Sequence, residues 1–395
     1  MHSRIYLDHS ATTPLDPRVL EAMLPYLSGQ FGNPSSLHQE GRAARAAVET
    51  ARAQVASLIG AEPEEIIFTA SGTEADNLAL IGAVRASASP GHVVTSSIEH
   101  AAILETCRSL AGTGTKITYL PVDREGIIST TSLLRALQSN VTLVSVMAAN
   151  NIVGTLQPIE ELGQLTKLHG VSFHTDAVQA GGKIPLDVNR LQVDLLSLSA
   201  HKLHGPKGVG ALYVRKGTAL APVIFGGGQE RGLRSATENV AGIVGFGAAA
   251  AIAKDELEKE SARLLGFRDQ IAQELRCRMS NCYFFGHAVQ RLPGHLSFGF
   301  RGREHDLARI LAQLDQAGVA VSAGSACSAN HSGKPSSVLL AMGYDAEQAR
   351  GLLRVSLGRF NTQEEIDRFS EILIHVAGSR AINLEANPAA EPVLI

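Results

Sequence analysis

Cysteine is scarce: Cys107, Cys277, Cys282 and Cys327 are the only four in 395 residues. Their spacing matches neither a disulfide framework nor a zinc ribbon, which excludes a cysteine-stapled secreted scaffold. An excess of charge of one sign is missing too. With a net charge of -3, the chain gives no reason to expect nucleic acid or an anionic membrane as partner. No stretch is long and uncharged enough to span a bilayer, and Met1-His-Ser-Arg-Ile-Tyr-Leu-Asp8 has no secretory apolar core. The expected location is therefore cytoplasmic. Internal repeats and low-complexity tracts are also lacking. What remains is a chain that is 45% hydrophobic and 18% charged, a globular balance, long enough for two domains.

The apolar runs alternate with helical stretches. Strands are expected at Ile66 to Thr69, His92 to Ser96, Lys116 to Leu120, Leu143 to Met147, Val171 to Thr175, Asp194 to Leu198 and Gly210 to Val214. Helices are expected from Pro17 to Leu27, Ala43 to Ile59, Glu74 to Ala86, Ala101 to Ala111, Thr131 to Leu137 and Ile159 to Leu168. Buried strands separated by crossover helices predict an α/β fold with a mostly parallel sheet sandwiched by helices. After Gly226-Gly-Gly228 the composition changes. A helix from Val240 to about Arg278 has a charged, solvated middle, and mixed strands and helices follow from Tyr283, as in a smaller α+β domain. The tail after Ser379 has two prolines and little periodicity, so poor order is expected there. The division expected is a large domain over 15–260, with 1–14 and 261–395 forming a small domain.

Chemistry concentrates where predicted strands end, which is where open α/β sheets place ligands. Lys202 lies in Ser199-Ala-His-Lys202, between an apolar run and a Gly/Pro-punctuated loop. A lysine so placed suits a Schiff base with an aldehyde cofactor; an isolated Ser-x-His-Lys reads first as a surface loop, and it is the other motifs of the chain that reverse this. Gly72 and Thr73, between a strand and a helix, form a phosphate cradle or a plain helix cap. Asp176 and Gln179, three residues apart, can address a protonated ring nitrogen and a ring oxygen of one flat heterocycle; a cap at Asp176 is the alternative. His100 can stack on a ring or move a proton, or be structural. Cys327, among small and polar residues in Gly324-Ser-Ala-Cys327, is a candidate nucleophile or an incidental thiol. No metal site is expected, since no cysteine or carboxylate converges on His201 and His204.

Together these motifs resemble one family: the cysteine desulfurases, fold-type I pyridoxal-phosphate enzymes of aminotransferase class V. The similarity runs from Tyr6-Leu-Asp-His-Ser-Ala-Thr-Thr-Pro14 to Leu353-Arg-Val-Ser-Leu-Gly-Arg-Phe360, through Ser71-Gly-Thr-Glu74, Asn150-Asn151, His174-Thr-Asp-Ala-Val-Gln179 and Glu230-Arg-Gly-Leu-Arg-Ser-Ala-Thr237. The Cys327 loop resembles the longer-loop type serving iron–sulfur assembly and nitrogenase maturation. The resemblance implies conversion of L-cysteine to L-alanine, with the sulfur leaving as a Cys327 persulfide for an acceptor such as an iron–sulfur scaffold. It implies pyridoxal 5'-phosphate on Lys202, with Asp176 on the ring nitrogen, Gln179 on the phenolic oxygen and His100 stacked above the ring. Gly72, Thr73, Ser199 and His201 are implied around the phosphate, with Thr237 reaching in from the partner of a homodimer, and Asn151 and Arg354 on the substrate carboxylate. Three departures stand out: Ile152-Val-Gly154 in place of Glu-Ile-Gly, His204 in place of a tyrosine, and the composition and length of the segment after Cys327. A C–S lyase or aminotransferase of the same fold that does not use Cys327 is the competing reading.

Overall fold

The chain begins with a two-residue strand, β1 (Ile5–Tyr6), and two helices, α1 (Pro17–Leu27) and α2 (Gln39–Leu58). The coordinates come from a computed structural model that describes residues 4–87, 91–323 and 334–378. Pro17 occupies the first turn of α1, where its missing N–H costs nothing, and the Asp16 side chain accepts from Arg18 N. Helix α2 starts four residues before the expected Ala43, because the His38 side chain accepts from Gly41 N and caps the earlier turn.

The α/β alternation follows: β2 (Ile66–Thr69), α3 (Gly72–Ala86), β3 (His92–Ser96), α4 (Ala101–Gly112), β4 (Lys116–Leu120), α5 (Thr130–Ala136), β5 (Leu143–Ser145), α6 (Ile159–Leu168), β6 (Ser172–Asp176), α7 (Val188–Leu191), β7 (Leu195–Ser199) and β8 (Gly210–Val214). Seven of these strands form one sheet in the order β2-β8-β7-β6-β5-β3-β4. Only β8 runs against the rest, pairing antiparallel with both β2 and β7. Alternate residues of the central strands point to opposite faces. Ile66, Phe68, Val94, Val144 and Leu196 enter one core with Val48 and Val55 of α2 and Leu162 of α6. Ile67, Val93, Leu143 and Leu195 enter another with Leu78 of α3 and Ile103 of α4. Burial on both faces explains why these strands read as continuous apolar runs.

Helix α8 (Val240–Arg278) then crosses the molecule in 39 residues. Its first part, including Phe246 and Ala250, packs into the core shared with α2. Its last part, including Ile271 and Leu275, packs into a second core with Phe298, Val355 and Phe369. No residue between Ala253 and Arg268 is buried. Residues of β9 (Cys282–Phe285), β10 (His295–Phe300), α9 (Leu307–Gln316), β11 (Val319–Ala320), β12 (Leu353–Ser356) and α12 (Gln363–Gly378) build the second core, while α10 (Ser337–Ala341) and α11 (Ala346–Arg350) pack with Phe285 and Ile152 in a smaller cluster. Strands β9 and β12 flank β10 antiparallel, while β1 pairs parallel with β11, and Ile5 and the following Leu7 enter this core. The loop of Cys327 and the tail after Ser379 lie outside the described residues.

Candidate active site

Strands β2, β3, β6 and β7 share a direction, so Thr69, Ser96, Asp176 and Ser199 all finish at one edge of the sheet. Strands β6 and β7 each run one residue further than their apolar character suggests. Their added residues are Asp176 and Ser199, polar groups set in register on the sheet itself. A cavity of about 230 Å³ opens above this edge. Gly72, Thr73, His100, Asn151, Asp176, Gln179, Ser199, His201, Lys202 and Arg354 all line it, although they come from positions 72 to 354. Thr237 is exposed and does not line the cavity of its own chain. Cys327 lies outside the described residues.

Each side chain has a local reason for its placement. Gly72 and Thr73 open the 15-residue α3, whose Ser71 cap accepts from Glu74 N at 3.1 Å. A side chain at Gly72 has no room, because a Cβ there falls 2.7 Å from Val178 Cγ2. Ser199 is 2% exposed and its Oγ has no hydrogen-bond partner among the described residues. Beside it, His201 Nδ1 lies 3.1 Å from Thr12 Oγ1, and burial together with Lys202 lowers this imidazole to about 4. Lys202 follows in a single 3-10 turn, with Nζ donating to the carbonyls of Ser10 at 2.6 Å and Ala11 at 2.7 Å. His100 Nδ1 accepts from Ala102 N at 3.1 Å at the start of α4, so the neutral ring carries its proton on Nε2.

Carboxylates crowd the floor. Asp176 accepts from Val178 N at 2.9 Å. Burial raises its pKa, while His100 and Lys202 pull it back toward the charged form. Asp76, one helical turn past Thr73, is 1% exposed. Burial first and the Asp176 charge second push it well above the usual carboxylate range. Glu99 lies deeper, accepting from Ser96 Oγ and from Met147 N, and burial lifts it to about 8. Of the three, Asp176 is the one that neighbouring cations favour as an anion. His174 shares the Asp176 face of β6, bonded to Ser145 and Ser197, and burial lowers it to about 3.

Arg354, 2% exposed, donates to Asp8 Oδ1 at 2.8 Å and to the carbonyl of Asn151 at 2.9 Å. Two unusual positions find their surroundings here. Ile152 packs with Ile98, Phe285, Leu339 and Met342, an apolar cluster in which a carboxylate lacks partners. His204 sits between the rings of His9 and Phe360, with centroids 5.6 and 5.1 Å away, and Nδ1 reaches the Pro14 carbonyl at 2.9 Å.

Residue types alone do not reveal Ser10, Ala11 and Asp76 as part of the lining. Ser10 and Ala11 meet Lys202 through main-chain carbonyls, which any residue supplies. The i, i+3 spacing from Thr73 to Asp76 was a usable signal.

Known proteins match this architecture along nearly the whole chain. The family model described as aminotransferase class-V matches residues 5–369. The cysteine desulfurase IscS of Dictyoglomus turgidum is 48% identical over 374 residues, covering 94% of this chain and 94% of that protein. The chain belongs to the cysteine desulfurases of aminotransferase class V. A second desulfurase of that name, from Methanosarcina thermophila, is 46% identical over 93% of this chain and 91% of its own length. A solved NifS-like protein superimposes with a TM-score of 0.86 at 39% identity, covering 95% of this chain and 99% of that one. The structure titled SspA in complex with cysteine gives a TM-score of 0.79 at 37% identity, covering 91% and 100%. The fold-type I architecture of the family accounts for the parallel sheet, and the cavity lies at the sheet edge where such folds place ligands.

Proposed function

We propose that the chain converts L-cysteine to L-alanine, using pyridoxal 5'-phosphate held on Lys202 and Cys327 as the sulfur acceptor. The observation that carries this reading is the meeting of Lys202, Asp176, Gln179 and Ser199 around one cavity in a chain 48% identical to a curated desulfurase. The residues fit the cofactor. Ser199 Oγ is buried without a partner among the described residues, and the first turn of α3, whose leading N–H groups have no partner within the helix, lines the same cavity, so a phosphate suits both. Asp176 supplies an acceptor for a protonated ring nitrogen, and the Gln179 amide a donor for a ring oxygen.

When bound, the cofactor supplies an electron sink that acidifies the substrate Cα. The protein's groups do the rest. Asp176 would hold the proton on the ring nitrogen, gaining there a charged partner for its buried carboxylate. Lys202 Nζ takes the Cα proton and later returns one, and its two main-chain carbonyl contacts aim the nitrogen. His100, with Nδ1 engaged by Ala102 N, would use Nε2 to move a proton on the bound substrate. Arg354 and Asn151 take the substrate carboxylate, a step in which the Arg354–Asp8 contact is exchanged for a substrate one. The Cys327 thiolate then bonds to the substrate sulfur. The C–S bond breaks, its electron pair stays on carbon, and protonation there gives alanine, so that cysteine plus thiol becomes alanine plus persulfide. An acceptor such as an iron–sulfur scaffold draws off the sulfur, in a homodimer located in the cytoplasm. We place the domain boundary near residue 260, with 1–14 joining 261–395, a division supported by the β1–β11 pairing.

The test is product analysis with cysteine, with and without reductant. Alanine and reductant-released sulfide are expected from wild type, and Cys327→Ala is expected to keep the cofactor but release no alanine. Pyruvate as the main product, or near-normal alanine from Cys327→Ala, moves the assignment to a C–S lyase.

A further inference from the structure

We propose that Lys183 is a positioning residue that fixes which end of the Gln179 amide faces the cavity, and so the hydrogen bond offered to the cofactor's ring oxygen. This inference rests on the cofactor reading above. Lys183 lies outside the main cavity. Gly182, in the left-handed region at φ 68°, turns the chain so that the Lys183 side chain comes back to Gln179. Lys183 Nζ donates to Gln179 Oε1 at 3.3 Å, and Gln179 Nε2 donates to the Ser10 carbonyl at 2.9 Å. The orientation is dictated by chemistry. A carbonyl only accepts and an ammonium only donates, so a flipped amide sets acceptor against acceptor at Ser10 and donor against donor at Lys183. Both mismatches are buried enough to matter, and each costs on the order of a lost hydrogen bond.

The same Ser10 carbonyl receives Lys202 Nζ at 2.6 Å, so one chain of contacts runs Lys183–Gln179–Ser10–Lys202. Its far end is anchored by helix α8, whose Ser261 Oγ donates to the Lys183 carbonyl at 2.7 Å. Behind it is a separate cavity of about 40 Å³, lined in part by His9, Lys183, Glu260 and His295. Burial lowers His9 to about 3 and His295 well below its ordinary value, so both rings are neutral. The cations facing Lys183 are Lys202 and Arg354, which together with burial lower it to about 7. Below about 7 the ammonium enforces this orientation; above it the neutral amine still donates to Oε1 but can also accept, so there the Ser10 carbonyl carries more of the discrimination.

The experiment follows release of pyridoxal phosphate from holoenzyme into a trapping solution. Lys183→Met and Lys183→Ala, which lack a donor, are expected to release it roughly five- to tenfold faster, the factor for about one hydrogen bond. Lys183→Gln keeps a donor and is expected to stay within about twofold of wild type. In a Gln179→Leu background, Lys183→Met is expected to add less than about twofold, because the group it orients is gone. Release unchanged in both donor-free variants, or an effect undiminished in the Gln179→Leu background, overturns the inference. A wild type that binds no cofactor refutes the underlying site reading; normal wild-type binding with silent Lys183 variants refutes this inference alone.

Discussion

At the scale of single residues, the site is a problem in keeping three buried carboxyl groups apart in proton affinity. Asp176 has cations beside it, whereas Glu99 has a hydroxyl, a backbone N–H and an Oε2 without a partner among the described residues. Burial raises the folded-state value of Glu99 to about 8 from an ordinary 4.5. The folded protein therefore keeps a proton that the unfolded chain gives up near pH 4.5, and stability falls as pH rises from about 4.5 to 8. Glu99→Gln mimics the neutral acid and still accepts from Ser96 and Met147. Melting curves across that window are expected to drop for wild type by roughly 2–5 kcal/mol more than for Glu99→Gln; parallel curves exclude the protonated form. Lys202 is tested by its own chemistry. Borohydride is expected to fix the cofactor onto Lys202 and to label nothing in Lys202→Ala, with a label on another lysine as the contrary result.

At the scale of elements, α8 ties the two cores together, and its glycines give a sharp test. A Cβ on Gly247 falls 2.6 Å from Ala51 Cα and 2.4 Å from Gln54 Oε1, because α2 and α8 approach closely there. A Cβ on Gly266 meets nothing within 4 Å. One substitution in one helix thus has opposite signs. Gly247→Ala is expected to cost roughly 1–3 kcal/mol through overpacking. Gly266→Ala is expected to add about 0.5–1 kcal/mol through helix propensity and backbone entropy. Urea midpoints of the two variants on the same side of wild type contradict this. The sequence pattern made α8 and most of the large-sheet strands legible, since each is recorded in local periodicity. Helix α2 began earlier than its alanine-rich run because a histidine cap, a side-chain event, set its start. Sheet order, the reversed β8 and the pairing of β1 with β11 were not legible, being long-range choices that no local window encodes. In the site, side-chain chemistry singled out Lys202, Asp176 and Gln179, and the structure brings them to one cavity. Main-chain partners such as the Ser10 carbonyl carry no such mark.

At the scale of the whole molecule, the segment ending at Thr237 is the feature a single chain leaves unexplained. It is firmly built: Glu230 pairs with Arg52 through contacts of 2.7 and 2.8 Å, both side chains buried, and accepts from Phe68 N at 2.7 Å. Arg234 then binds Glu74, in the first turn of α3, at 2.7 Å. Yet the segment carries Thr237 to the surface, away from the cavity of its own chain. Nearby Phe225 is 74% exposed, and Phe31 and Leu37 expose 78% and 89%, an unusual amount of apolar surface for side chains of this size. A two-fold homodimer in which Thr237 completes the partner's phosphate site accounts for both observations. Sedimentation is expected to give a dimer, and mixing gives a stricter test. Lys202→Ala dimers lack the lysine at both sites, and Thr237→Ala dimers lack the crossing hydroxyl at both. In a mixed dimer, one site collects both defects and the other has neither. Exchanging subunits between the two variants is therefore expected to raise desulfurase activity above that of either parent, toward half of wild type per mixed dimer. If Thr237 acts only within its own chain, each mixed dimer keeps one defect per site, and mixing yields only the average of the parents.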